Sequence, residues 1–111
     1  ITAQGTITLI RCLQESLTNA IRHGHATEIT ITLKEESSYV ILVIKDNGIG
    51  ISDVSYGFGL TGMKERLESL QGNLNIESME NEGTVVTCFL PVLVSRIREE
   101  FKHDDKSVNS G

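Results

Sequence analysis

A chain of 111 residues with net charge −5 at pH 7, 39% hydrophobic residues and no Trp is long enough to bury one core and too short for two. Aliphatic side chains must do the packing, and an acidic balance without any basic cluster argues against a nucleic-acid partner. No apolar run approaches the roughly 20 residues that a membrane span needs, and no signal peptide is recognisable.

Cys12 and Cys88 lack metal-ligand spacing and read as buried thiols of a reducing cytosol. The chain opens on Ile1 instead of Met, so it reads as a piece of something larger. Residues 1–6 form a lead-in, with Thr6 or Thr8 placed to cap the first helix. From 7 to 23 the period is helical: Leu9, Leu13, Leu17 and Ala20 make one stripe, with Ile10 and Ile21 along an edge. Glu15, Asn19 and Arg22 follow i, i+4, i+7 on another face, where polar groups at a core margin either meet water or line a cleft. Gly24 is expected to end this helix as its C′ residue. Residues 28–33 alternate as a half-exposed strand, 34–38 form a polar turn, and 39–45 read as a more buried strand, giving an antiparallel hairpin.

That hairpin runs into Asp46-Asn47-Gly48-Ile49-Gly50. Asn-Gly between apolar runs is by itself a hairpin signal, but residues 51–56 are short and polar, and Gly57-Phe58-Gly59-Leu60-Thr61-Gly62 then opens a helical pattern. A strand that delivers a carboxylate into a glycine-rich turn sets a fixed acceptor beside bare backbone, suited to a flat heterocycle with an exocyclic amino group. Leu60, Met63, Leu67 and Leu70 predict an amphipathic helix over 60–71, closed by Gly72. Residues 73–78 and 84–90 read as a second hairpin around 79–83, ended by Pro91. Residues 95–102 are expected to form a helical turn or two and 103–111 to be disordered.

Helix, two strands, glycine loop, helix, two strands is the order of an α+β protein, a two-layer α/β sandwich in which one mixed or antiparallel sheet carries its helices on one face. Gly57-x-Gly59-x-x-Gly62, with Glu77 some way on, matches a dinucleotide fingerprint literally, yet that fingerprint needs a strand running straight into the first glycine. A phosphate-binding loop ending in Gly-Lys-Ser/Thr, a Gly-x-Ser-x-Gly elbow and zinc spacing are all missing; His23 and His25, two apart, are wrong for a helical metal pair and read as surface residues at a helix end. What remains is a carboxylate corner, a helix with Glu and Asn one turn apart, and a glycine-rich segment opening a helix. Helix N-termini and glycine amides bind phosphate, Asn offers an oxygen to Mg²⁺, and Glu can orient a nucleophile. Together they specify a nucleoside triphosphate site.

The strings Glu15-Ser16-Leu17-Thr18-Asn19-Ala20-Ile21-Arg22-His23, Asp46-Asn47-Gly48-Ile49-Gly50, Gly57 to Arg66 and Gly83-Thr84 resemble the catalytic ATP-binding domain of sensor histidine kinases in the GHKL superfamily, and within it the short-lid DesK and NarX group. The resemblance covers residues 7–91 and implies the Bergerat fold, with the ATP-binding domain over 7–94 and a charged tail over 95–111. By it, Asn19 would coordinate Mg²⁺ and Glu15 would assist phosphoryl transfer, with Arg22 and His23 near the phosphates. Asp46 would accept from the adenine amino group, Gly48 and Gly50 would shape the purine wall, and Thr84 would support the base through water. Gly57 and Gly59 would hinge the lid, with Leu60 beside them on the nucleotide side.

The implied activity is transfer of the γ-phosphoryl of ATP to a histidine on a separate dimerisation domain, which then feeds a response regulator. That acceptor domain is missing from this chain, so the chain alone should be a cytoplasmic monomer that binds ATP without becoming phosphorylated, its parent being free to sit in a membrane. A degenerate ATP-binding signalling module, or an ATPase or serine kinase of the same superfamily, is the alternative.

Overall fold

The computed structural model describes residues 2–50 and 53–92, with side chains placed throughout except at 53–58. Expectations for 51–52 and for the tail over 95–111 lie outside the described residues.

The first helix, α1 (Ala3–Thr18), starts four residues before its expected position because Thr2 is the cap, its Oγ1 accepting from the Gly5 N–H at 3.0 Å. Thr6 and Thr8 turn their hydroxyls onto the carbonyls of Thr2 and Gln4, at 3.1 and 2.9 Å. The buried stripe is also rotated from the expected one: Gly5, Thr8, Leu9, Cys12 and Ser16 face inward, while Leu13 and Leu17 are half-buried and Ile10 is exposed. Size decides this contact more than hydrophobicity does. A Cβ on Gly5 would lie 2.6 Å from Leu90 Cδ2, so the helix reaches the sheet through its small residues.

Beyond Thr18 the helix widens into a π-helical segment, Asn19–His23, closed by the Gly24 N–H on the Asn19 carbonyl at 2.8 Å. Such segments are uncommon and tend to occur where a helix serves a site. Gly24 itself stays right-handed, and the left-handed residue is His25 at φ 50°. The second helix, α2 (Asp53–Ser69), ends the same way: Gln71 takes φ 69°, while Gly72 is required because a Cβ there would run into the Phe89 carbonyl.

Strands β1 (Ile29–Glu36), β2 (Tyr39–Asp46), β3 (Asn73–Met79) and β4 (Gly83–Pro91) form one sheet in the order β1-β2-β4-β3. Every described pairing is antiparallel, so of the two sheets left open by the sequence this is the antiparallel one. The β1–β2 turn is only Ser37-Ser38, both left-handed at φ 52° and 70°, which lets β1 run three residues further than its hydrophobic alternation suggested.

Direct cross-strand partners share a face, so the register stacks rows across the sheet. Val40 lies beside Leu90, Leu42 beside Cys88 and Leu74, and Ile44 beside Val86 and Ile76. Leu9 and Cys12 of α1 and Leu60, Met63 and Leu67 of α2 cover these rows in one core. Cys12 and Cys88 are both buried free thiols of this core, and the Cys12 thiol together with burial pushes the Cys88 thiol far above its ordinary range. The next row along the same face is polar: Asp46, Thr84, Ser78. At the opposite, β1 edge, Ile31 and Leu33 are exposed, and an apolar groove of about 320 Å³ lies between Leu9, Ile10 and Leu13 of α1 and Leu33, Val40 and Leu42 of the hairpin.

Candidate nucleotide-binding site

The site forms where the apolar rows give out. Asp46 closes β2, is 9% exposed, and accepts the Gly48 N–H on Oδ1 at 2.8 Å. Beside it on β4 is Thr84, 2% exposed, and beside Thr84 on β3 is Ser78, their hydroxyls 3.0 Å apart. A buried carboxylate at the head of a strand therefore stands next to a buried hydroxyl, with a second hydroxyl behind it.

The glycine corner is clamped on three sides. Asn47 points away from the row, its Oδ1 accepting from the backbone N–H groups of Thr27 and Glu28 at 2.9 Å each and its Nδ2 donating to Thr27 Oγ1 at 3.0 Å. Ile49 donates its N–H to the Gly24 carbonyl and accepts from the Asn81 N–H, both at 2.9 Å, which ties the corner to the end of the π-helix and to the β3–β4 turn. Space is scarce along this backbone. A Cβ on Gly48 would lie 2.6 Å from the Gly24 carbonyl oxygen, and one on Gly83, which sits at φ 103°, would collide with the Asp46 carbonyl. Gly50, at φ 93°, passes over β3 so closely that a Cβ would be 3.0 Å from Ser78 Oγ.

The helix side supplies Glu15 and Asn19. Asn19 is 5% exposed, and its Nδ2 is a buried donor without a partner, as is Ser16 Oγ one turn earlier. Orphaned buried polar atoms are uncommon and mark places where a ligand or water belongs. Glu15 is half-buried, and its carboxylate lies against the Gly59 Cα, where a Cβ would displace it. Arg22 and His23, in the last turn of the π-helix, are exposed, as is His25. The fold thus places Asp46, Thr84, Gly48 and Gly50 at one end of the sheet and sets Glu15 against Gly59, while Arg22 and His23 remain at the surface.

Residues 5–94 match the family described as histidine kinase-, DNA gyrase B-, and HSP90-like ATPases. The chain belongs to this family. The sensor histidine kinase YxjM of Bacillus subtilis is 38% identical over 79% of this chain and 22% of its own length. The histidine-protein kinase/phosphatase DegS of the same organism is 37% identical over 80% of this chain and 25% of its own, and the nitrate/nitrite sensor NarX of Escherichia coli 34% over 77% and 15%. This ATPase domain thus spans a quarter or less of the length of those relatives. The histidine kinase domain of a blue-light-activated histidine kinase from Erythrobacter litoralis shares the fold, with TM-score 0.63 and 20% identity over 77% of this chain and 43% of that one.

Some positions differ from their sequence reading. In the ATPase domain the stretch from Gly57 to Gly62 lies inside α2, which begins at Asp53, seven residues before the expected start. The described residues leading into Gly57 are helical, which disposes of the dinucleotide fingerprint; a Cβ on Gly62 would meet none of the described residues within 4 Å, so close packing does not require glycine there. The hinge expected at Gly57 and Gly59 is helical backbone here. Leu60 is fully buried in the core, where its side chain anchors α2.

Two residues escaped the sequence. Asn47 reads as turn chemistry but works as a clamp, and Ser78 reads as one more polar strand position; only pairing the register of β3 with Thr84 exposes it.

Proposed function

We propose that this ATPase domain is the catalytic half of a two-component sensor histidine kinase, handing the γ-phosphoryl of ATP to a histidine on a separate dimerisation domain. The observation that carries the reading is the buried Asp46 carboxylate, held by Gly48 beside Thr84, because a fixed acceptor there suits the adenine amino group. The glycine-spaced backbone of Gly48 and Gly50 accommodates a flat base.

Mg²⁺ fits the helix side. The Asn19 side-chain oxygen would hold the metal, whose charge offsets that of the phosphates, while its buried, unpartnered Nδ2 is a donor suited to a phosphate oxygen. Glu15 orients the incoming imidazole and receives its proton as the new P–N bond forms and the bond to ADP breaks. Gly59 leaves room for that carboxylate. Arg22 and His23, exposed at the end of the π-helix, attract the phosphate tail. The acceptor domain, the response regulator and a cytoplasmic setting belong to the parent protein under this reading; among the described residues no helix is long and apolar enough to cross a membrane.

Calorimetric titration tests the proposal: ATP should bind with Mg²⁺ and GTP should bind far more weakly. Adding the parent's dimerisation domain should then give phosphohistidine, whereas the chain by itself should give none. With Glu15→Gln, binding should persist and transfer should fail. Equal affinity for ATP and GTP would contradict the adenine corner, and transfer undiminished in Glu15→Gln would contradict the role of that carboxylate. The reading of a module that signals without transfer is supported if binding is normal but no phosphohistidine forms with the acceptor domain present.

A further inference from the structure

The polar row Asp46–Thr84–Ser78 has a direction that decides which base it matches. Asp46 only accepts. Thr84 either donates or accepts, and its choice depends on Ser78, whose Oγ is 3.0 Å from Thr84 Oγ1. If Thr84 donates to Ser78, the row offers two acceptors side by side, which complements the N1–H and 2-amino donors of guanine. If Ser78 donates to Thr84, the Thr84 proton is left to point outward, and the row offers an acceptor next to a donor. That pattern complements the 6-amino group and N1 of adenine.

We propose that Ser78 is a positioning residue for base selection: its hydroxyl donates to Thr84 Oγ1 and so turns the Thr84 proton toward N1 of the bound adenine, directly or through one water. The inference rests on the adenine reading of Asp46 and adds to it the residue that sets the polarity of the row. Two observations support it. Thr84 is 2% exposed, so bulk water cannot freely reset its hydroxyl. Gly50 passes over Ser78 so closely that a Cβ would be 3.0 Å from its Oγ, which keeps the hydroxyl pair part-buried under the corner.

The test uses the full chain and three nucleotides: ATP, 1-deaza-ATP (in which N1 is replaced by C–H) and GTP. The wild type should bind ATP about fivefold to tenfold more tightly than 1-deaza-ATP, the worth of one hydrogen bond. In Ser78→Ala that ratio should fall to about twofold or less and GTP should gain relative to ATP, because Thr84 is then free to turn either way. Ser78→Thr, which keeps the hydroxyl, should restore the wild-type ratios, an outcome that loss of packing alone does not produce.

A Ser78→Ala protein that melts normally and keeps the full preference for ATP over 1-deaza-ATP overturns the proposal. So does a wild type indifferent to N1, whatever the variants do. The adenine reading is scored separately, with purine riboside triphosphate, which lacks the 6-amino group: a wild type that loses affinity for it but ignores N1 retains Asp46 recognition and rejects the role of Ser78.

Discussion

Asp46 and Asn47 are neighbours with opposite duties. Alternation along β2 turns Asp46 onto the helix-covered face, where it is buried, while Asn47 leaves the strand and binds the backbone of Thr27 and Glu28. Replacing Asp46 by Asn keeps the shape and exchanges a charged acceptor for a neutral amide, so ATP affinity should drop by about 1.5–3 kcal/mol, read by calorimetry, with little change in melting temperature. Asn19→Ala should remove the Mg²⁺ dependence of ATP binding and spare metal-free affinity; a titration with and without Mg²⁺ measures both. Asp46, Asn19 and Glu15 were singled out in the sequence by residue type and spacing, and Thr84 by resemblance alone; the structure sets Asp46 beside Thr84 and buries Asn19. Ser78 was not singled out, since its role depends on a strand register that no local pattern encodes. Leu60 carried two readings in the sequence, and its helical period with Met63 and Leu67 matches its place in the core.

Among the elements, α1 and α2 come close where the Glu15 carboxylate lies against the bare Cα of Gly59. Glycine inside a helix costs about 1 kcal/mol relative to alanine, so Gly59→Ala should stabilise α2 by up to that amount. The added methyl must displace the carboxylate, which is the far end of a flexible side chain and yields without disturbing the backbone. The expected result is a protein of equal or higher melting temperature that binds ATP and transfers phosphoryl poorly to a supplied acceptor domain. A Gly59→Ala variant with normal transfer would show that Glu15 does not act from this position.

Element order and type were readable from periodicity, as were the limits of β2, β3 and β4 to within a residue; those of α1, β1 and α2 were not. Helix α1 begins at a Thr2 cap in a stretch read as lead-in, β1 runs on through charged residues because two serines accept left-handed backbone, and α2 passes through glycines that looked like a loop. The buried face of α1 also escaped the wheel, because close approach to Leu90 selects small residues over leucines.

In the molecule as a whole, one end of the sandwich is polar and tightly tied while the β1 edge leaves apolar surface uncovered. The polar end depends on a dipeptide with a chemical weakness. Asn-Gly is the pair whose backbone most readily attacks its own side-chain amide, since the following N–H is unhindered, and the cyclic imide then opens to a mixture of Asp and isoaspartate. In the folded chain both partners are engaged: the Gly48 N–H is held by Asp46 Oδ1, and the Asn47 amide is fastened by three hydrogen bonds. The fold therefore acts as its own preservative. Peptide mapping should find Asn47 intact after long storage below the melting temperature and converted after storage above it. Conversion removes the donor to Thr27 and inserts an extra backbone carbon beside Asp46, so a chain that ages while unfolded should refold without a working nucleotide corner.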